Sequence, residues 1–161
     1  MGELMQEYFY KAGRCVANLD ANTVGHELNR IYNKHGALAP ATVVKESKPK
    51  QAPLHGAFEW NDQIAAEEHR LHQARQIINV VTVVPEDRPN TLPVQAFINV
   101  TVVNDDDKNE RRYTPVKEVI DTPGLYDQHL SHLKYRLKNM KIELSKFVEL
   151  AQVCDAIDSV T

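Results

Sequence analysis

The chain has 161 residues, of which 42% are apolar and 25% are charged, and 22 acidic against 19 basic residues give a formal net charge of −3. This length supports one domain with a buried core, with room for a small appendage. The acidic balance argues against a surface that binds polyanions over its whole extent, although a local basic face remains compatible with it. No apolar run approaches the roughly 20 residues of a membrane-spanning helix, so we expect no membrane contact.

The two cysteines, Cys15 and Cys154, do not make a disulfide framework or a zinc site by themselves. We therefore expect two buried thiols in a reducing compartment.

Residues 1–78 predict a helical N-terminal unit that begins with an arm, residues 1–19, packed on the body of the domain. Asp20 or Asn22 can cap the first helix, and Gly36 stands where a helix C-terminus favours glycine. Between these ends, four apolar residues recur at helical spacing and are predicted to face the core: Val24, Leu28, Ile31 and Tyr32.

A short second helix is predicted over residues 40–47, because Pro40 suits the first turn of a helix. Its Val43 and Val44 are expected to point inward. Residues 53–60 are too few for a stable helix and too aromatic to be exposed. We therefore expect a tucked turn with three residues in the core: Leu54, Phe58 and Trp60.

A third helix is predicted after Asn61 or Asp62, either of which can act as its N-cap. Its apolar positions are Ile64, Ala65, Leu71, Ala74, Ile77 and Ile78. Together the three helices predict a compact arrangement similar in outline to a helix-turn-helix.

Residues 79–120 predict a small antiparallel β-meander of three strands. The alternating, β-branched stretches lie near 77–83, 94–103 and 111–120, with turn-rich segments between them. Pro115 places the third strand at an edge or near its start. With helices on either side along the chain, the pattern predicts an α+β fold.

Residues 121–161 predict one long C-terminal helix of about 35 residues, or about 50 Å. Apolar residues recur there with a strict period of 3.5, as in a coiled coil. A helix of this length exceeds what a domain of this size can cover, so part of the stripe is expected to pack on another copy. The predicted oligomerisation residues are Leu130, Leu133, Leu137, Met140, Leu144, Phe147 and Ala151.

One segment carries a distinctive set of residues, which run from Ala52 to His55, from Phe58 to Asp62, and from Gln73 to Arg75, with Ala65, Ala66 and Arg70 between them. It resembles small proteins encoded by phages and prophages, in which the corresponding run reads SPLHxxFEWDD followed by a helix with QAR. Upstream, His35 to Pro40 and Val43-Val44 are similar to that group's HGxLTPExVV. The resemblance covers about residues 20–78, and it implies a viral or prophage origin without a mechanism.

No catalytic constellation is present in the sequence, so we expect a protein that is not an enzyme and needs no cofactor. The run Val119 to Leu125 looks like the DxxG segment of GTPases, but the phosphate-binding G-x-x-x-x-G-K-[ST] that such chemistry needs is missing. No G-x-S-x-G nucleophile elbow occurs either.

Two histidine pairs each share one helix face at i, i+3 spacing. The first pair is His69 and His72, and the second is His129 and His132. Catalytic zinc motifs usually space histidines i, i+4 around a glutamate. We therefore predict no metal site, and a four-histidine site from these pairs is kept only as the alternative.

Basic residues form the remaining candidate site. They lie along one face of the predicted long helix, around the turn after the second helix, and on the third helix, where glutamine and arginine could reach base edges. The predicted DNA-binding residues are Lys134, Lys138, Lys141, Arg136, Lys45, Lys48, Arg70, Gln73 and Arg75, and Lys50 adds charge beside Lys48.

Two functions follow as hypotheses. The first is a non-enzymatic phage accessory or regulatory protein that associates with DNA and forms homo-oligomers through its C-terminal helix. The alternative is a phage structural or assembly component, or an inhibitor that binds a host protein, with no nucleic-acid contact. The expected location is the host cytoplasm, or the virion for a structural component.

Overall fold

A computed structural model of the chain describes residues 6–62, 66–103 and 106–161. The chain forms two compact units, residues 1–118 (unit 1) and residues 119–161 (unit 2). Helices and small antiparallel sheets confirm the α+β class. In chain order the elements are β1 (Tyr8–Tyr10), α1 (Ala21–His35), α2 (Pro40–Ser47), α3 (Glu67–Val80), β2 (Val81–Val83), β3 (Val94–Gln95), β4 (Phe97–Val103), β5 (Asn109–Pro115), α4 (Val116–Asp121), α5 (Pro123–Leu144) and α6 (Ala151–Val160).

Helix α1 has the bounds that its sequence predicts. The Thr23 amide donates to the Asp20 carboxylate at 2.9 Å, which satisfies one of the free N–H groups of the first turn. At the other end Gly36 adopts the left-handed conformation (φ 66°), and its N–H donates to the Tyr32 carbonyl at 2.7 Å. All four predicted core residues of this helix are buried.

The described part of the N-terminal arm, residues 6–19, packs on the body through strand β1, as predicted, and residues 1–5 lie outside the described residues. This strand pairs with β2 in an antiparallel sheet of order β1-β2-β3. The Tyr8 ring is buried and lies directly on Gly25 of α1, where an added Cβ would come within 2.0 Å of the ring. Glycine at position 25 therefore allows the strand to approach the helix closely.

The antiparallel pairing of the three predicted segments in chain order is confirmed, since β2 pairs with β3 and β4 pairs with β5. The predicted boundaries and the single sheet are wrong. Helix α3 continues to Val80, because Ala74, Ile77 and Ile78 fill the core at helical spacing and this packing outweighs their β-propensity. The predicted middle strand is split at Ala96, whose N–H donates to the Val81 carbonyl at 3.0 Å. Its longer half, β4, pairs with β5 in a separate two-stranded sheet.

The predicted start of the third helix is also wrong, since α3 begins at Glu67 with Ala66 as its N-cap and no side-chain cap. The predicted core positions Ile64 and Ala65 lie outside the described residues, and so does Gln63. In the tucked turn, Leu54 and Phe58 are buried as predicted, whereas Trp60 is only partly buried.

The core of unit 1 lies among α1, α2, α3 and the two sheets. Its fully buried larger side chains include Leu28, Ile31, Leu38, Val43, Leu54, Ile78, Val81, Val83 and Phe97. Leu38, in the turn between α1 and α2, accepts the Tyr113 N–H of β5 at 2.9 Å and so ties the helices to the second sheet.

In unit 2 the predicted long C-terminal helix is confirmed as α5, but its predicted length of about 35 residues is wrong, because α5 has 22 residues and ends at Leu144. The chain turns over residues 145–150, and α6 packs back on α5. This hairpin buries Cys154 and Ile157, which a single extended helix would leave in water. The Lys141 ammonium meets the Asp158 carboxylate at 2.5 Å across the hairpin.

The prediction of two buried thiols is half wrong. Cys154 is buried in unit 2, but Cys15 is exposed in unit 1. Among the described residues, no helix combines the length and the apolar character that crossing a bilayer requires.

Candidate functional site

Three of the predicted DNA-binding residues converge on one cavity of unit 1, which we call the basic cavity. It has a volume of about 600 Å³ and lies between α2, the turn that follows α2, and the first turns of α3. Lys45, Lys48 and Arg70 line it, as does Lys50. The cavity therefore gathers four cationic side chains from two helices and a turn.

An aromatic pair forms one wall of the basic cavity. The rings of His55 and Trp60 are stacked with centroids 5.1 Å apart and planes 10° from parallel. The Trp60 indole N–H donates to the His55 carbonyl at 2.8 Å, which fixes the two residues against each other. Phe58, buried in the core, supports the indole at 5.5 Å between centroids.

His55 is also tied to helix α2. Its Nδ1 lies 3.1 Å from the Ser47 carbonyl, so Nδ1 carries a proton and donates this hydrogen bond. Ser47 is buried, and its hydroxyl donates to the Val43 carbonyl at 2.7 Å. The end of α2 that carries the lysines is thus joined to the aromatic wall.

Arg70 is held between a carboxylate and the aromatic wall. Its guanidinium donates to Asp62 at 2.9 Å, and its Cζ lies 6.0 Å from the Trp60 ring centroid, within cation–π range. Asp62 and Glu67 are the two carboxylates of the lining, so the cations outnumber them. Lys45, Lys48 and Lys50 are exposed.

A salt-bridge cluster on the other side of α2 positions this helix. Glu46 accepts from Arg30 at 3.2 Å, from Lys34 at 3.0 Å and from His35 at 2.9 Å, all from α1 and its end. These hydrogen bonds, that of His35 first, lower the pKa of the Glu46 carboxyl to about 2. Glu46 therefore neutralises cations of α1, whereas its neighbour Lys45 faces the basic cavity.

The three predicted residues of α3 do not form one face. Gln73 lines a second cavity of about 450 Å³ with Lys11 and Arg14, away from Arg70. Its side-chain oxygen is buried without a hydrogen-bond partner among the described residues. Arg75 is exposed and lines neither cavity. The helix therefore does not present a row of base-reading side chains.

The predicted lysine stripe lies on α5 in unit 2. Lys141 is engaged by Asp158, and this hydrogen bond raises the pKa of the lysine. Lys134 is half-buried, whereas Arg136 and Lys138 are exposed. One member of the stripe is therefore neutralised within its own hairpin.

The first histidine pair of the alternative metal site, His69 and His72, lies on α3 in unit 1, and both side chains are exposed. Their i, i+3 spacing places them on one face of this helix. Within the described ranges, no three histidine, cysteine or acidic side chains lie close enough to hold a metal ion.

The second histidine pair, His129 and His132, lies on α5 in unit 2. Burial lowers the pKa of His129, and the charges of His132 and Arg136 act in the same direction. A neighbouring arginine repels a bound cation as it repels a bound proton, so the surroundings of this pair also disfavour a metal ion.

The sequence predicts the cations of the basic cavity but not its aromatic wall. Trp60 was predicted in the core, and the structure places it at the edge of the core, where it also lines the cavity. The aromatic content of residues 53–60 predicts that this turn is buried. It does not predict that one of its aromatic side chains, Trp60, also lines an open cavity.

Comparison with protein families, curated proteins and solved structures finds no match for this chain. The resemblance to phage proteins stays a prediction, and the function is argued from the geometry of the site.

Proposed function

We propose that the protein is a non-enzymatic phage accessory or regulatory protein that associates with DNA through the basic cavity of unit 1. The observation that carries this proposal is the convergence of Lys45, Lys48, Lys50 and Arg70 on one cavity of a chain whose net charge is negative. Clustered cations that face solvent are the feature that phosphate contacts need.

The net negative charge of the chain limits where DNA can contact the protein. With a formal net charge of −3, the surface as a whole repels a polyanion, so association depends on the local excess of cations. Lysine and arginine both bind phosphate oxygens, and these contacts position a protein on DNA without reading its sequence. We therefore expect weak sequence preference.

Unit 2 supports association between copies of this chain. None of the 22 residues of α5 is buried, and Leu130, Leu133 and Met140 of the predicted stripe are exposed. Helix α5 carries four basic and two acidic residues, whereas α6 carries Asp155 and Asp158 and no basic residue. A second copy therefore offers both an apolar stripe of the same period and a helix of opposite charge.

The test is the affinity for a labelled generic DNA, measured by fluorescence anisotropy at about 50 mM and about 200 mM salt. Three phosphate contacts, from Lys45, Lys48 and Lys50, predict that the affinity for duplex falls about 40-fold across this range. The variant K45Q/K48Q/K50Q should bind weakly, and its affinity should fall less than about 5-fold across the same salt range, because only Arg70 remains and Asp62 already pairs with it.

A matched control makes the same charge change elsewhere. In K108Q/K117Q/K146Q three lysines outside the basic cavity are replaced, so we expect binding close to that of the wild type. Equal loss of binding in the two variants would mean that only net charge matters, and absence of binding at low salt would contradict the proposal.

The second candidate is a structural or assembly component, or an inhibitor of a host protein, that does not contact nucleic acid. The apolar residues exposed on unit 2 favour it, because patches of this kind mark protein interaction sites. It predicts no DNA binding at any salt concentration. The corresponding locations are the host cytoplasm for a DNA-associated protein and the virion for a structural one.

A further inference from the structure

The basic cavity has two features, and duplex DNA cannot contact both of them at once. Its cations suit phosphates, and its His55–Trp60 wall suits a flat aromatic surface. In a duplex the base faces are stacked on one another inside the helix, so only an unpaired base has a face to offer to an aromatic wall.

We propose that the basic cavity binds a nucleotide of single-stranded DNA, with its base against the His55–Trp60 wall and its phosphates against Lys45, Lys48 and Lys50. The inference rests on the proposed function and specifies its ligand. A positively charged groove with an aromatic platform is the arrangement with which proteins bind single strands without sequence preference.

The dimensions and the rigidity of the site agree with this ligand. A volume of about 600 Å³ accommodates one nucleotide, within the usual range of ligand cavities. The wall is held before the ligand arrives, because Trp60 donates to the His55 carbonyl and His55 donates to the Ser47 carbonyl. Little ordering of these rings is therefore needed on binding.

Arg70 adds a second way to hold the base. Its guanidinium lies over the indole and is anchored by Asp62. Planar guanidinium groups stack on aromatic rings, and they also bind phosphate oxygens. A base that enters the cavity thus meets a planar cation next to the aromatic wall.

The chain supplies its own reporter, because Trp60 is its single tryptophan. A base stacked against the wall should quench the Trp60 emission. The full-length protein is titrated with a thymidine oligomer of about 12 nucleotides, with an abasic oligomer of the same length, with a duplex and with thymidine monophosphate. Binding of the two oligomers and of the duplex is followed in parallel by anisotropy of a labelled end.

We expect quenching by the thymidine oligomer and binding without quenching by the abasic oligomer. The oligomer should bind about tenfold more tightly than either the abasic strand or the duplex, which is the usual gain from stacking one base. The monophosphate has fewer phosphates and should bind much more weakly. If thymidine monophosphate bound as tightly as the thymidine oligomer, the proposal that the ligand is a single strand would be overturned.

Two variants separate stacking from charge. Trp60→Leu should lose the tenfold preference and keep the salt dependence, and Trp60→Phe should retain part of the preference. Tyr135→Leu, which removes an exposed aromatic residue of unit 2, should change neither. If Trp60→Leu does not fold, the quenching of the wild type decides the question.

Salt-sensitive binding of strand and duplex with equal affinity, or strand binding that leaves Trp60 emission unchanged, would overturn this inference and leave the proposed function standing. No binding to any of the nucleic acids at low salt would overturn both.

Discussion

The two units of the molecule use apolar residues in opposite ways. Unit 1 closes a core in which side chains from three helices and two sheets are fully buried. In unit 2 the longest helix of the described chain, α5, has no buried residue. An apolar pattern therefore predicts a buried face only where other elements of the fold arrive to cover it.

The two units obtain their stability from different kinds of contact. The contacts of unit 1 are long-range, such as β1 with β2 and Leu38 with Tyr113, so its parts hold one another in place. Unit 2 is a hairpin with one inter-helical ion pair among its described residues and with exposed leucines, methionine and aromatic residues. Two packed helices alone rarely make a stable domain, so we expect unit 2 to depend on association.

The largest expected effect is a loss of stability caused by a substitution in the core of unit 1. In Gly25→Ala the new methyl group would lie within 2.0 Å of the Tyr8 ring, so Tyr8 and strand β1 must move. Alanine favours a helix by about 1 kcal/mol over glycine, but overpacking and the loss of Tyr8 burial should cost more. We expect a net loss of about 2 kcal/mol in the free energy of unfolding, measured with urea.

Gly56→Ala is the matched control, since nothing lies within 4 Å of the position of its added Cβ. We expect its stability to stay within about 0.5 kcal/mol of the wild type. A Gly25→Ala variant as stable as this control would show that Tyr8 is not packed on the helix.

The next effect tests the dependence of unit 2 on a second copy. Replacing the exposed Leu133 and Met140 by Gln should reduce the mass in solution by about half if the assembly is a dimer, because it removes the centre of the apolar stripe. Light scattering coupled to size-exclusion chromatography measures this mass. Both residues are exposed, so any loss of structure in unit 2 would follow from the lost association and not from altered packing within the hairpin.

Val148→Gln with Val160→Gln is the corresponding control, since it replaces two exposed apolar residues that lie off the stripe. We expect its mass to equal that of the wild type. A wild-type protein that stays monomeric at every concentration measured would contradict the proposed association of unit 2 with a second copy.

The smallest expected effect comes from Glu46 of unit 1 and the three cations that pair with it. Since the pKa of Glu46 is lowered from 4.5 to about 2 in the folded protein, its cluster stabilises the fold fully above pH 4.5. This contribution is lost as the pH falls from 4.5 towards 2. We therefore expect Glu46→Gln to be less stable than the wild type at about pH 6, with the difference in urea midpoint vanishing near pH 2.

Glu149→Gln makes the same charge change in unit 2 and serves as the control. If the difference between Glu46→Gln and the wild type were constant from about pH 6 to about pH 2, the ion pairs with Arg30, Lys34 and His35 would not contribute to stability.

The sequence predicts those parts of the fold that local signals decide. Helix α1 is an example, because Asp20, Gly36 and the apolar period agree on its ends and its buried face. The boundary between α3 and β2 is not predictable in this way, since β-branched residues at 77–83 suit either structure until the core selects one. The end of α5 is set by the packing of α6, while its heptad period continues unbroken through the turn.

The residues of the candidate site likewise fall into those that the sequence predicts and those that only the folded structure shows. Charge patterning identifies Lys45, Lys48 and Arg70, because the cations are visible in the sequence. The aromatic wall forms when the turn at residues 55–60 packs against the end of α2. The sequence alone therefore does not show that His55 and Trp60 belong to the site. Equally, the pairing of Lys141 with Asp158 is invisible in the spacing of the lysines.

The most direct test of the central claim compares the two units in one experiment. The variants K45Q/K48Q/K50Q and K134Q/R136Q/K138Q remove three positive charges each, the first from the basic cavity and the second from α5. Their affinity for a labelled DNA strand is measured at about 50 mM salt, where phosphate contacts are strong. We expect a loss of binding in the first variant and near wild-type binding in the second. The reverse result would contradict this expectation and assign the DNA contact to unit 2.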